Sequence, residues 1–191
     1  MMFSWESEAV KLKLVAIGDS ITWGYPYGPL ESWVKMAADS IGIEIINRGV
    51  NGETTNEMMA RFEPDVIGAH PDACIIMGGA NDAFAGESAS RVAAHIDAMV
   101  DAAKKAGMRV FLGMPPQILI SEFELVMLGY RKRMEEICLQ QNIRYIDFPA
   151  AFLDETGTIN ASNFLDDAHP SRFGYERMGE CAAQFLRTAL I

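Results

Sequence analysis

Apolar residues along the chain follow two rhythms that take turns. Short, nearly continuous runs at Leu12 to Ile17, Glu44 to Asn47, Ala73 to Met77, Arg109 to Leu112 and Arg144 to Phe148 have the length of buried strands. Between them, apolar residues recur every three or four positions. From Ser88 to Ala106, Val92, Ile96, Met99 and Ala103 fall on one stripe with Asp97, Asp101 and Lys104 opposite, the pattern of a surface helix, and Gly107 ends it. Further helices are predicted over Glu31 to Ile41, Thr54 to Phe62, Glu122 to Gln141 and Arg172 to Leu190. In the third of these Met127, Tyr130, Met134, Ile137 and Cys138 face inward; in the last, Met178, Ala182, Phe185 and Ala189 share one side. The alternation predicts a parallel sheet covered on both faces. Right-handed crossovers then make a three-layer α/β/α fold. A flavodoxin-like order is expected for five such strands, although the pattern alone does not set the order. No internal repeat, low-complexity tract or linker interrupts the rhythm, so residues 1–191 read as one domain with one site.

Charge narrows the partners. With a net charge of -10, the chain lacks the basic surface that a nucleic-acid backbone requires. The longest basic run, Arg131 to Arg133, reads as a solvated helix face. Cys74, Cys138 and Cys181 are odd in number, far apart and set in apolar segments, which suits reduced, buried thiols better than disulfides or a CxxC metal site. The start of the chain, with two early glutamates and no long apolar core, reads as lacking a signal peptide. No apolar run is long enough to span a bilayer. A soluble, cytoplasmic protein is the expectation, and the sequon at Asn160, Ala161 and Ser162 is then a chance match. Oligomeric state is not readable from the pattern.

Candidate chemistry appears where the predicted strands end. The motif GDSIT places Ser20 three residues beyond the first strand, VNGETT places Gly52 five beyond the second, and GGAND places Asn81 four beyond the third. Ligands in open parallel sheets bind at the carboxyl ends of the strands, so these three open onto one edge. The stretch from Pro149 to Ala168 is long enough to carry DDAHP, with Asp166 and His169, back across that edge. Each motif alone is ordinary: Ser20 reads as a turn or cap residue, Asn81 and Asp82 as a loop or Asx turn, Gly52 as a turn glycine.

Together they supply the parts of an acyl-transfer site. A serine hydroxyl needs a base within hydrogen-bonding reach, and histidine suits that task near neutral pH. Of three histidines, His70 lies at the entry to the third strand, the wrong end, and His95 sits in a helix beside its apolar stripe at a core margin, leaving His169. Asp166 is placed to fold back onto that ring and select its tautomer. The oxyanion formed on attack would be met by the N–H groups of Ser20 and Gly52 and the side-chain amide of Asn81. Asp166, Asp167 and His169 also allow a metal reading, but no second ligand set stands at a recognisable spacing. No cofactor or metal is expected.

In order and spacing, GDSIT, NGETT, GGAND and DDAHP resemble the SGNH hydrolase superfamily, the GDSL-type esterases, lipases and acylhydrolases, from about Leu12 to the final helix. The resemblance implies a flavodoxin-like α/β/α domain and metal-independent hydrolysis of carboxylic esters or thioesters through an acyl-serine. It maps the Ser, Gly, Asn and His of that superfamily onto Ser20, Gly52, Asn81 and His169, and its Asp-x-x-His spacing onto Asp166 rather than Asp167. Ile21 replaces the leucine of the eponymous motif, an exchange of one apolar residue for another. The expected substrate is a small-molecule ester of a small or medium acyl group; a thioester, a lysophospholipid or an acetylated sugar fits the same site. A non-catalytic or nucleotide-binding module is the reading from another class. Against it, GxGxxG and GxxxxGK[ST] are missing; the GxSxG elbow is also missing, which excludes the usual α/β-hydrolase arrangement. Trp23, Tyr25 and Pro115 are candidate substrate contacts. Trp23 and Tyr25 belong to an aromatic, proline-rich loop that reads equally as a pocket wall or a rigid cover of the core.

Overall fold

The computed structural model describes residues 12–190; the reading of the chain start falls on residues outside that range. Five parallel strands, β1 (Lys13–Gly18), β2 (Glu44–Gly49), β3 (Ala73–Met77), β4 (Arg109–Met114) and β5 (Arg144–Asp147), form one sheet in the order β2-β1-β3-β4-β5. This is the flavodoxin-like order, with the direction of winding reversing between β1 and β3. The helical segments are α1 (Ser20–Trp23), α2 (Trp33–Ile41), α3 (Thr55–Ala60), α4 (Phe62–Asp65), α5 (Ala80–Phe84), α6 (Ala89–Lys105), α7 (Ser121–Gln141), α8 (Phe148–Ala151) and α9 (Arg172–Ala189).

Pleating divides the central strands between two cores. Val15 and Ile17 of β1, Cys74 and Ile76 of β3, and Val110 and Leu112 of β4 face the layer of α3, α4, α6 and α7. Leu14, Ala16, Ala73, Ile75 and Phe111 face the layer of α2, α8 and α9, where Trp33, Phe148, Phe152 and Tyr175 are fully buried. Burial on both sides explains why β1 and β3 read as unbroken apolar runs. The edge strands β2 and β5 carry Glu44, Arg48, Arg144 and Asp147, charges that discourage pairing with another chain.

Four local features depart from the pattern. The helix expected from Glu31 begins at Trp33, because Ser32 caps it by accepting from the Lys35 N–H. The helix expected from Thr54 to Phe62 is broken at Arg61: Pro64 has no N–H to offer the Ala60 carbonyl, and its ring crowds that oxygen, so α3 stops and α4 restarts. The last strand ends at Asp147, whose carboxylate caps the single turn α8, with Pro149 in its first turn. Cys74 and Cys138 are buried free thiols, but Cys181 is only partly buried.

Candidate active site

Ser20 is placed by the first β-to-α turn. Asp19 caps α1, its Oδ1 accepting from the Ile21 N–H at 2.9 Å, so that Ser20 becomes the first helical residue, 7 % exposed. Burial raises the Asp19 carboxyl from 3.8 to about 6, against the pull of that N–H and of His169. The exit of β2 is tied to the same point, since the Val50 N–H donates to the Gly18 carbonyl at 3.0 Å. Two residues on, Gly52 turns the chain at φ 81, a left-handed conformation that glycine adopts without strain.

The returning loop is held from three directions. The Leu165 N–H donates to the His169 carbonyl at 2.8 Å, Phe164 and Pro170 form an antiparallel bridge, and the Leu119 N–H donates to the Asp167 carbonyl at 2.7 Å. The result is a continuous line of polar contacts. Ser20 Oγ lies 3.1 Å from His169 Nε2, and His169 Nδ1 lies 2.9 Å from Asp166 Oδ2. Burial works to raise the Asp166 carboxyl, but it is outweighed by N–H groups of Ala168 and His169 at 2.9 and 2.7 Å, and its ionisation shifts to lower pH. With Asp166 ionised and accepting, Nδ1 carries the proton and Nε2 turns its lone pair to the serine. Asp167 contributes only its carbonyl to this loop's anchoring.

Asn81 lies in α5, whose N-cap Gly79 has φ 126. One N–H of its amide donates to the Glu53 carbonyl at 2.9 Å, which joins the third strand end to the Gly52 turn. Its second N–H has no acceptor among the described residues. Among the described residues the backbone N–H groups of Ser20 and Gly52 have no acceptor. Ser20, His169 and Asp166 are thus brought into one line, while Gly52 and Asn81 converge on the segment beside it.

Of the candidate substrate contacts, Tyr25 reaches the site. Its ring lies 4.6 Å from that of His169, centroid to centroid, and its carbonyl accepts from the Tyr175 hydroxyl at 2.9 Å. Burial pushes the Tyr175 phenol far up, so it stays a donor. Trp23 is half-buried at the end of α1, and Pro115 is buried with its carbonyl accepting from Arg131. Two supports went unread in the sequence. Arg61 donates to Glu53 at 2.6 Å and to the carbonyls of Gly18 and Arg48 at 3.2 and 3.0 Å. Asp82, 1 % exposed, accepts from both the N–H and the hydroxyl of Thr55. Asp82 reads in the sequence only as a loop or Asx residue and Arg61 only as a member of a helix, so neither carried a signal of these partners. Among the described residues no three metal-ligating side chains cluster, and no helix is long and apolar enough to cross a membrane.

Several known proteins resemble this one. The chain is 29% identical to an arylesterase of Vibrio mimicus over 52% of each, so the match spans about half of that relative's length. Identity is also 29% to an acetylxylan esterase of Geobacillus stearothermophilus, over 92% of each chain. Structures of that acetylxylan esterase described as catalytic mutants carry alanine in place of a serine, an aspartate and a histidine; the serine mutant superposes at TM-score 0.79 with 26% identity, covering 92% of this chain and 93% of that one. A structure described as a lipolytic protein of the G-D-S-L family from Desulfitobacterium hafniense superposes at TM-score 0.84 with 29% identity, covering 91% and 99%. With residues 16–177 matching the family as a whole, the chain belongs to the GDSL-like lipase/acylhydrolase family.

Proposed function

We propose that this protein is a serine esterase that cleaves carboxylic esters of small to medium acyl groups through an acyl-Ser20 intermediate. The observation that carries this reading is the line of contacts from Ser20 through His169 to Asp166, assembled from residues 149 positions apart. Ser20 Oγ attacks the ester carbonyl carbon as its proton passes to His169 Nε2, and Asp166 stabilises the imidazolium. The carbonyl oxygen becomes an oxyanion facing the Ser20 and Gly52 N–H groups and the Asn81 amide. Collapse expels the alcohol, which takes the proton from His169. Water, deprotonated by the same ring, then frees the acid from Ser20.

The catalytic serine, aspartate and histidine named for the Geobacillus relative, with the aspartate three positions before the histidine, support carrying these roles to Ser20, Asp166 and His169. Turnover of an aryl acetate tests the reading. Ser20→Ala is expected to abolish it in protein that unfolds at the wild-type temperature; full activity in that variant rejects the assignment. A second substrate reading, an acetylated saccharide, is favoured by likeness to the acetylxylan esterase over 92% of both chains. Relative kcat/KM on an aryl acetate, a long-acyl ester, a thioester and an acetylated xylo-oligosaccharide separates the choices.

A further inference from the structure

A second chain of polar side chains runs behind the oxyanion side of the site, from α5 through α3 to α6. The Thr55 N–H donates to Asp82 Oδ2 at 2.9 Å and the Thr55 hydroxyl to Asp82 Oδ1 at 2.6 Å. A threonine hydroxyl has one proton, and here the carboxylate takes it. His95 Nδ1 lies 3.0 Å from the same Thr55 oxygen. That oxygen is left only lone pairs for the imidazole, so Nδ1 carries a proton and donates it. The direction of the chain is therefore His95 to Thr55 to Asp82.

Its two inner members sit beside the groups assigned above to the oxyanion. Asn81 directly precedes Asp82, and Gly52 comes three residues before Thr55. Adjacent residues of α5 grip one short stretch twice: Asn81 donates to the Glu53 carbonyl, and Asp82 receives both donors of Thr55. We infer that His95 is a positioning residue for the oxyanion hole: by donating to Thr55 from α6, it fixes the Thr55 hydroxyl on Asp82, and so holds Asn81 and the Gly52 turn in register. This rests on the assignment of Gly52 and Asn81 as oxyanion donors. His95 itself touches no reacting atom.

The ring is half-buried and borders a cleft of about 260 Å³ that Thr54, Asn56, Ala85, Glu87 and Arg91 also line. Trimming it widens a cleft rather than emptying the core, so the fold is expected to survive. The test measures kcat and KM on an aryl acetate for His95→Ala, His95→Asn, Thr55→Val and the His95→Ala/Thr55→Val double variant, beside Asn81→Ala. His95→Ala is expected to lower kcat about tenfold with KM within about twofold, as displaced transition-state donors require. Asparagine places its Nδ2 near the position of the imidazole Nδ1, so His95→Asn restores most of kcat. Thr55→Val removes the bond to Asp82 as well and is expected to lower kcat at least as much as His95→Ala, while the double variant is expected to be no worse than Thr55→Val, because His95 acts through the Thr55 hydroxyl. An unchanged kcat in His95→Ala, no rescue by asparagine, or losses that multiply in the double variant would overturn the inference. If His95→Ala does not fold, Thr55→Val against Thr55→Ser decides it: a kcat kept by valine overturns it. Asn81→Ala separates the two levels. Full kcat there removes the oxyanion assignment and the inference with it; a loss there beside an unaffected His95→Ala removes the inference alone.

Discussion

Gly18 precedes the capping aspartate and the serine, and its lack of a side chain is a packing requirement. A β-carbon built there falls within 2.6 Å of the Met77 carbonyl and collides with Thr22. A carbonyl at the end of a central strand has little freedom to retreat, so Gly18→Ala is expected to cost about 2–3 kcal/mol, in the range of core overpacking. A denaturation midpoint equal to that of the wild type would contradict this. Asp166 has a different signature. Its carboxylate takes the N–H groups of Ala168 and His169 as well as the ring nitrogen. Asp166→Asn presents an amide donor to the ring and favours the wrong tautomer, which is expected to lower kcat by about 10³- to 10⁴-fold, as in other Ser-His-Asp sites. KM and folding are expected to change little, and a kcat within tenfold of wild type would remove Asp166 from the relay.

At the level of elements, the break between α3 and α4 turns a helix that periodicity joined into a clamp. Arg61 stands at that break and reaches the ends of β1 and β2 through the carbonyls of Gly18 and Arg48, while pairing with Glu53 and Asp65. Burial disfavours its charge, but the two carboxylates outweigh it and hold the guanidinium charged. Arg61→Met is expected to destabilise by about 2 kcal/mol, since it strands two carboxylates and two carbonyls at a part-buried site; an unchanged urea midpoint would contradict it. Strands and long helices were legible because their periods are set by burial on known faces, as in β3 and α6. The α3–α4 break was not, because apolar spacing runs straight through Arg61 while the Pro64 ring overrides it. That Ser20, Gly52 and Asn81 open onto one edge was legible because three predicted strands end there, and His169 was legible from the returning DDAHP loop and the elimination of His70 and His95. Thr55 with Asp82, 27 positions apart, carried no local signal of their pairing.

Across the whole molecule, the buried acid at the sheet's carboxyl edge links stability to pH. Asp19 titrates at about 6 in the fold against 3.8 ordinarily, so between those values the folded state holds more protons than the unfolded. Its contribution is fully present below about pH 4 and is lost as pH rises through about 6. Of the neighbouring titratable groups, a protonated His169 favours its ionised form and Asp82 opposes it. Asp166 runs the other way: its lowered value stabilises the fold above its ordinary range and is lost as pH falls through the folded value. Asp19→Asn keeps the helix cap and removes the titration. Its unfolding free energy is expected to gain on wild type by on the order of 2–3 kcal/mol between pH 4 and pH 7, measured by urea unfolding at both values; parallel pH profiles would contradict the assignment.

Everything proposed for the site depends on Ser20 being the nucleophile that takes the acyl group. Labelling the folded protein with a fluorophosphonate and mapping the adduct by peptide mass spectrometry tests it most directly. The expected result is one adduct, on Ser20, formed as esterase activity disappears and missing from His169→Ala. An adduct on another residue, or full loss of activity with Ser20 unmodified, would contradict the account.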